Sequence, residues 1–528
     1  MWFSRDSQGG TVKRLSLAIL VLLFAAPILA QSSGESLADL IEAGNREAAL
    51  ERIRAGADVN AAQPDGTRPI HWAIYHIDHE LLGALIARKA TVNVRNEFGV
   101  TPIAEAARFA DARMVKMLLD AGAEPEGANQ DGQTALMLAI KTGEVSVVDM
   151  LIKAGANVNA TEEFQNQTPL IWAATAPRNA GDLVRLLLAR GADVKPRALY
   201  TDWPSQITSE PRAQYRPVGG LTALLYAARD GCYDCVDALI AAGADMNMPT
   251  PEGVTPLMLA LDNDHNDVAR LLLDRGANPE LWDWWGRTAL YIAVDRKEMI
   301  AAGTRGGRGG NVPALPRVSS MEIINALLAR DIDVDAQLNF HRPSRGGNSG
   351  RFIEPLLGTG CTPLMRATIG MWTPDTEDKG ADPEVVRALL ARGANPNIND
   401  MGLTPFLVAA GVSAGTTGGT GLAARWSAGP PPNVELMEMF LQHGADVNAQ
   451  VTGTLTYSMR ITRAPSANEG RTALHIAAQE GRADLVRYLL GKGANPEITD
   501  AGGKKAIDLA KADVAEIRSL LGAAATGK

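Results

Sequence analysis

The sequence predicts an all-α repeat solenoid of about twelve helix–turn–helix units, joined by hairpin loops and interrupted by several long inserted loops. Three observations carry that prediction. A glycine recurs every 33 residues, at positions 66, 99 and 132, again at 220, 253 and 286, and again at 470 and 503. Each glycine opens a short motif. Gly99-Val-Thr-Pro-Ile-Ala-Glu-Ala-Ala107 returns as Gly132-Gln-Thr-Ala-Leu-Met-Leu-Ala139, as Gly253-Val-Thr-Pro-Leu-Met-Leu-Ala260 and as Gly470-Arg-Thr-Ala-Leu-His-Ile-Ala-Ala478. Most motifs are closed, after a Val…Leu-Leu stretch, by Gly-Ala-Asn or Gly-Ala-Asp, as at Gly155–Asn157, Gly191–Asp193, Gly243–Asp245, Gly276–Asn278 and Gly493–Asn495. A chain of 528 residues is too long for one ordinary core, and a repeat array resolves that.

Taken in order, residues 1–30 read as a targeting segment. Lys13 and Arg14 close a basic stretch, and Leu15–Ala30 is apolar except for Ser16. The run is short for a membrane span and fits the apolar region of a secretory signal, with Pro27 and Ala30 suiting cleavage before Gln31. Ile28 is large for its place before that site, so an uncleaved anchor is the alternative. The expectation is an exported protein, periplasmic or secreted, or else membrane-anchored through this segment.

Within a unit each position has a physical reason. Thr101 is placed to cap the first helix, and Pro102 occupies the first helical position, where a missing N–H costs nothing. Ala106 and Ala107 let helices approach closely. Val115, Leu118 and Leu119 make one apolar stripe at i, i+3, i+4. Gly122 ends the second helix, where a positive φ is needed. No unit can bury its apolar face alone, so stacking is obligatory. With 46% apolar but only 5% aromatic residues, the core is aliphatic.

This pattern resembles the ankyrin repeat, whose period is 33 and whose signature is T-P-L-H-x-A. The resemblance covers most of residues 35–525 and is of the exported, bacterial type, with degenerate first and last units acting as caps. The signature His survives as His71 and His475, and elsewhere Ala104, Met137, Ile171, Leu225, Met258, Tyr291, Met365 or Leu407 takes its place, which implies more apolar packing. Arg68 replaces the capping Thr of its unit and should weaken that helix start.

The predicted organisation is a signal at 1–30, N-terminal repeats at 31–193, an insertion at 194–218, central repeats at 219–300, interrupted repeats at 301–469, and C-terminal repeats with a cap at 470–528. Leading glycines at 286 and 360 are 74 apart, and those at 402 and 470 are 68 apart. The extra residues fall at about Lys195–Val218, Ala301–Ser320, Gln337–Thr359, Met371–Asp382, Gly411–Asn433 and Gln450–Glu469. They have loop composition, carry isolated aromatics such as Trp203, Trp372 and Trp426, and are mostly net basic. Either they are tolerated surface loops or they shape a partner-specific surface.

The sharpest local signal is Trp282-Asp-Trp-Trp-Gly286. Trp284 and Trp285 occupy positions that, by the family resemblance, project from a hairpin tip, where Trp makes strong interface anchors; the alternative is that neighbouring insertions cover them. Trp72 and Trp172 precede the motif Ala and read as core. Cys232-Tyr-Asp-Cys235 starts a second helix, both sulfurs on one face near the positive helix end, and in an exported protein the pair can oxidise to a local disulfide. No thioredoxin-like βαβ context surrounds it, which argues against redox catalysis, and Cys361 reads as a single thiol at a hairpin. His71, His76 and His79 share one unit; His71 is scaffold, and His76 and His79 make a weak metal pair in a solvated turn. Gly415–Gly421 lacks the Lys-Ser/Thr of a phosphate cradle, and no nucleophile–base pairing is visible.

The net charge of −9 gives no overall attraction for nucleic acid. The resulting expectation is a non-catalytic protein-binding scaffold, monomeric, without cofactor or metal. Its contact surface would be built from the tips Phe98, Asp131, Trp284, Trp285 and Asp400 and from insertion aromatics Trp203, Trp372 and Trp426. A membrane-tethered structural protein, or an enzyme with a site made from the insertions, are the alternatives.

Overall fold

In the computed structural model the described residues are 35–201, 218–301, 318–339, 360–370, 381–399, 402–413, 431–452, 454–455, 463–464, 468–511 and 515–526. Among them are twelve helix pairs, here called repeats 1 to 12. They are Leu37–Glu42 with Arg46–Arg54, Pro69–Tyr75 with His79–Ala87, Pro102–Arg108 with Ala112–Asp120, and Ala135–Thr142 with Val145–Lys153. Next come Pro169–Ala174 with Ala180–Ala189, Ala223–Asp230 with Tyr233–Ala241, Pro256–Asp262 with Asn266–Asp274, and Ala289–Ala301 with Ser320–Leu328. The last four are Pro363–Ile369 with Pro383–Ala391, Pro405–Ala409 with Val434–Gln442, Ala473–Glu480 with Ala483–Gly491, and Ala506–Leu509 with Ala515–Thr526. Two antiparallel pairs of two-residue strands stand beside these helices: Tyr200–Thr201 against Val218–Gly219, and Thr454–Leu455 against Arg463–Ala464. Each sits within or at the base of an insertion.

The local chemistry works as the motif requires. The Thr101, Thr134, Thr255, Thr362 and Thr404 hydroxyls each accept the backbone N–H three residues on. In repeat 2, where Arg68 stands in the Thr position, the buried His71 takes over: its Nδ1 accepts the Arg68 backbone N–H at 3.0 Å. The weakened helix start is thus replaced by a reversed cap. His475 does the same for Thr472.

First helices stack on first helices through buried alanines, among them Ala73, Ala106, Ala107, Ala139, Ala227, Ala260, Ala477 and Ala478. Second helices present Val/Leu stripes such as Met114, Val115 and Leu118, with Leu119 only partly buried. One apolar core runs from Leu37 to Leu521.

A polar ladder reinforces the stack where each second helix ends. The Asn60 side chain accepts the Thr91 N–H at 2.8 Å, Asn93 accepts from Glu124 at 2.8 Å, and Asn159 from Asp193 at 2.8 Å. Asn247, Glu280, Asp335, Asn397 and Asn448 repeat the contact at Asn278, Asp333, Asn395, Asp446 and Asn495. Lys195 occupies this position in repeat 5 and has no acceptor to offer the next unit.

Among the described residues, repeats 7 to 9 carry most of the buried charge. Arg287 pairs with Asp283 at 2.7 Å and with Asp262 at 3.0 Å. Arg366, fully buried, meets Asp295 at 2.6 Å. Arg296 pairs with Asp264, and Lys297 with Asp382. The apolar packing expected where the signature His is lost holds for Met137 and Met258, whereas Tyr291 brings a hydroxyl that lies 3.9 Å from the buried Cys361 sulfur.

Candidate functional site

Several of the hairpins between repeats are each built around one acceptor side chain. Asn96 Oδ1 accepts the N–H groups of Phe98 and Val100 at 3.1 and 2.9 Å, and Asn129 Oδ1 those of Asp131 and Gln133 at 3.0 Å each. The buried Glu162 carboxylate accepts from Phe164, Gln165 and Gln167, and Asp500 from Gly502 and Lys504. Satisfying two or three N–H groups at once fixes the turn, and the residues beyond the acceptor face solvent.

Successive hairpins are tied by backbone bonds. Glu97 donates to the Asp65 carbonyl at 2.9 Å, Glu163 to Asp131 at 2.8 Å, Leu199 to Gln165 at 2.6 Å, Trp284 to Glu252 at 2.8 Å and Ala501 to Glu469 at 3.0 Å. The tips therefore form one edge whose spacing is set by the repeat stack.

Along that edge the structure exposes large apolar side chains. Phe98 is 63% exposed, Phe164 71%, Trp282 62% and Trp284 46%, and Leu199 and Tyr200 are also exposed. Carboxylates accompany them: Glu97, Asp131 and Glu163 are exposed at the same turns. Phe98, Asp131 and Trp284 thus stand where the sequence placed them.

Trp285 does not. It is only 8% exposed, so the expectation that it projects from the tip is corrected. Its carbonyl accepts the Asn339 N–H at 2.8 Å, and the Arg287 guanidinium lies 5.4 Å from its ring centroid. Asn339, at the start of the insertion after repeat 8, thus bonds to the Trp285 backbone, and the buried Arg287 lies against its ring. Burial raises the Asp283 carboxyl above its ordinary range against the opposing pull of Arg287. Burial also works to lower the Arg287 value, and Asp262 and Asp283 outweigh it, so the guanidinium stays charged.

Trp72 and Trp172, read as core, are only half-buried; Trp72 Nε1 donates to Gln63 Oε1 at 2.7 Å, and its ring packs edge-on to Tyr75 at 5.6 Å. A residue directly before the motif Ala sits at the border of the first-helix face. His79 Nε2 lies 2.8 Å from Asp111 and His76 Nε2 3.3 Å from the Glu42 carbonyl, so each faces a neighbouring repeat. Among the described residues no group of three or more His, Cys, Asp or Glu is arranged to hold a metal, and no helix is long and apolar enough to cross a membrane. Asp400, Trp203, Trp372 and Trp426, the Gly415–Gly421 run and residues 1–30 lie outside the described residues.

Phe164, the most exposed of the tip aromatics, was missed by sequence reasoning. Aligning hairpins on their acceptor finds it: Asn96-Glu-Phe98, Asn129-Gln-Asp131 and Glu162-Glu-Phe164 share one register. The irregular Gln165-Asn166-Gln167, which replaces the leading glycine, hides that register in a motif search.

Comparison with known proteins agrees with the architecture. Residues 37–129, 105–198 and 224–302 match the family described as ankyrin repeats in three copies, and residues 359–401 and 469–501 match the single ankyrin repeat. Over 194 residues the chain is 31% identical to human mitochondrial disaggregase, covering 35% of this chain and 24% of that protein. It is 27% identical over 306 residues to the E3 ubiquitin-protein ligase KEG of Arabidopsis thaliana, covering 56% and 16%. It is 33% identical over 131 residues to human ankyrin repeat and SOCS box protein 16, covering 25% and 24%. The crystal structure of the human ASB11 ankyrin repeat domain aligns with a TM-score of 0.37 at 24% identity, over 47% of this chain and 100% of that one. The chain spans a quarter or less of the length of these three curated relatives.

Proposed function

We propose that this chain, which belongs to the ankyrin-repeat family, is a non-catalytic protein–protein interaction scaffold that acts outside the cytoplasm. The observation that carries the binding role is the tip edge itself. Phe98, Phe164, Trp282 and Trp284 expose aromatic surface from turns whose backbone is already fixed by acceptor side chains and by bonds to the next hairpin. A rigid aromatic loses little entropy on docking, so such residues make efficient anchors. The described starts of two insertions, at Leu199–Thr201 and Leu338–Asn339, are bonded to this edge, and with the first-helix face they supply the remaining contact. Export rests on the Lys13-Arg14 and Leu15–Ala30 pattern, and the same pattern left uncleaved supports the second reading, a scaffold tethered to a membrane.

The test is capture with the full chain beside a Phe98→Ala/Phe164→Ala/Trp284→Ala variant, from secreted, envelope and cytoplasmic fractions. A protein held by the parent and lost by the variant supports the reading, and the fraction it comes from tests the location. Equal capture by both moves the binding surface off the tips. Mass measurement of the mature N-terminus separates the secreted from the tethered form.

A further inference from the structure

Cys232 and Cys235 are joined by a disulfide at the start of the nine-residue second helix of repeat 6. The two sulfurs are not equivalent. Cys235 is fully buried against the core, whereas Cys232 is only partly buried and sits at the helix cap, flanked by the exposed Tyr233 and Asp234. The Cys232 sulfur accepts the Cys235 backbone N–H at 3.3 Å, so it faces the unsatisfied N–H groups of the first turn, which favour negative charge there. The His265 ring lies against Gly231, the preceding residue: a Cβ there would sit 2.4 Å from its Nδ1. Asp234 and Asp237 are the acidic residues on this helix, Asp237 being paired with Arg275, and Asp230, at the end of the preceding helix, is paired with Arg229 at 2.7 Å.

A bridge between residues three apart closes the shortest of loops, inside a turn already held by helical hydrogen bonds. It restrains the unfolded chain less than any long-range bridge would. The fold is carried by the continuous apolar core, which passes through Val236 and Leu239 beside the bridge and runs far beyond it in both directions. The bond is therefore open to cycling without loss of the array.

We propose that Cys232–Cys235 is a thiol–disulfide exchange site for low-molecular-weight thiols, with Cys232 the sulfur that is attacked and Cys235 the sulfur that leaves. A thiolate approaching from solvent forms a new S–S bond to Cys232 Sγ as the Cys232–Cys235 bond breaks. The electron pair departs with Cys235 Sγ, which takes up a proton. A second thiolate then attacks the outer sulfur of the mixed disulfide and releases Cys232. Two thiols are oxidised to one disulfide and the protein bridge is reduced to two thiols, so atoms and electrons balance. The site is a place of reversible modification. The buried Cys361 takes no part.

Glutathione is the probe. With oxidised glutathione, the folded Cys235→Ser chain should take one adduct at Cys232 at least about tenfold faster than folded Cys232→Ser takes one at Cys235, the two rates converging in denaturant. Intact and peptide mass spectrometry reads both. The wild-type chain gives an independent measurement: reduced with millimolar glutathione and alkylated under native conditions, it should be labelled at Cys232 before Cys235. Equal rates in the two folded variants, labelling of Cys235 first, or a wild-type bridge that resists glutathione until the chain is unfolded would each overturn the proposal.

Discussion

Replacing Asp283 by alanine should unfasten the hairpin between repeats 7 and 8. The Asp283 carboxylate is fully buried and makes three contacts: Oδ1 accepts the Trp285 and Arg287 N–H groups at 3.0 and 2.9 Å, and Oδ2 accepts Arg287 Nε at 2.7 Å. Removing it strands a buried guanidinium and two N–H groups in a turn that also covers Trp285. Breaking one side of a buried ion pair costs about 3–5 kcal/mol. Asp262, which still holds the other Arg287 nitrogens, keeps the loss near about 3 kcal/mol. Asp283→Asn retains an oxygen for the two N–H groups and gives up the charged partner, so it should lose about 1–2 kcal/mol, less than alanine. A repeat array need not unfold in one step, so urea denaturation is to be paired with hydrogen exchange read unit by unit. The alanine variant should lose protection across repeats 7 to 9 and keep it in repeats 2 to 4. The penalty should change little with salt, because the pair is out of solvent. An Asp283→Ala loss below about 1 kcal/mol, or equal losses for Ala and Asn, would refute the reasoning that this charge pair organises the turn.

The remaining predictions are smaller or differently signed. Lys195→Asn restores an acceptor to the polar ladder and should stabilise by about 0.5–1.5 kcal/mol, while Asn159→Ala, which abandons the Asp193 N–H, should destabilise by a similar amount; the same sign in both urea titrations would remove the ladder from the argument. Burial holds His71 and His475 below the ordinary imidazole value. A depressed pKa adds stability above the unfolded value of about 6.5, and that stability is lost as pH falls through the folded value. Repeats 2 and 11 should therefore lose exchange protection on going from about pH 7.5 to about pH 5, ahead of repeat 4, which has Met137 at that position; uniform loss along the chain would contradict this. Gly231→Ala should cost about 1–3 kcal/mol in thermal or urea unfolding, since φ there is +76° and a Cβ would meet His265 at 2.4 Å. The Phe98→Ala/Phe164→Ala/Trp284→Ala variant should unfold within about 0.5 kcal/mol of the parent per site, and a larger loss would mean these side chains serve the fold and not a partner.

The repeat was legible because its determinants are local. Thr101 before Pro102, Ala106 and Ala107 within a short helix, and Gly122 after Asp120 each act on neighbours a few residues away, so period and helix limits can be read along the chain. Phe98, Asp131 and Trp284 were placed correctly for the same reason, since a hairpin tip is set by its own turn. What the sequence left open depends on partners far along the chain. Trp285 shares the register of Phe98, yet one is buried and the other exposed, and the difference is Asn339 arriving from 54 positions later together with an arginine buried beneath. Arg366 and Asp295, 71 residues apart, look like surface charges in a sequence and become core once repeats 8 and 9 stack. The polar ladder likewise joins side chains about one repeat apart, such as Asn159 and Asp193. A repeat motif states what each unit does to itself; which of its side chains meets water is decided by the unit, or the inserted segment, that lands on it.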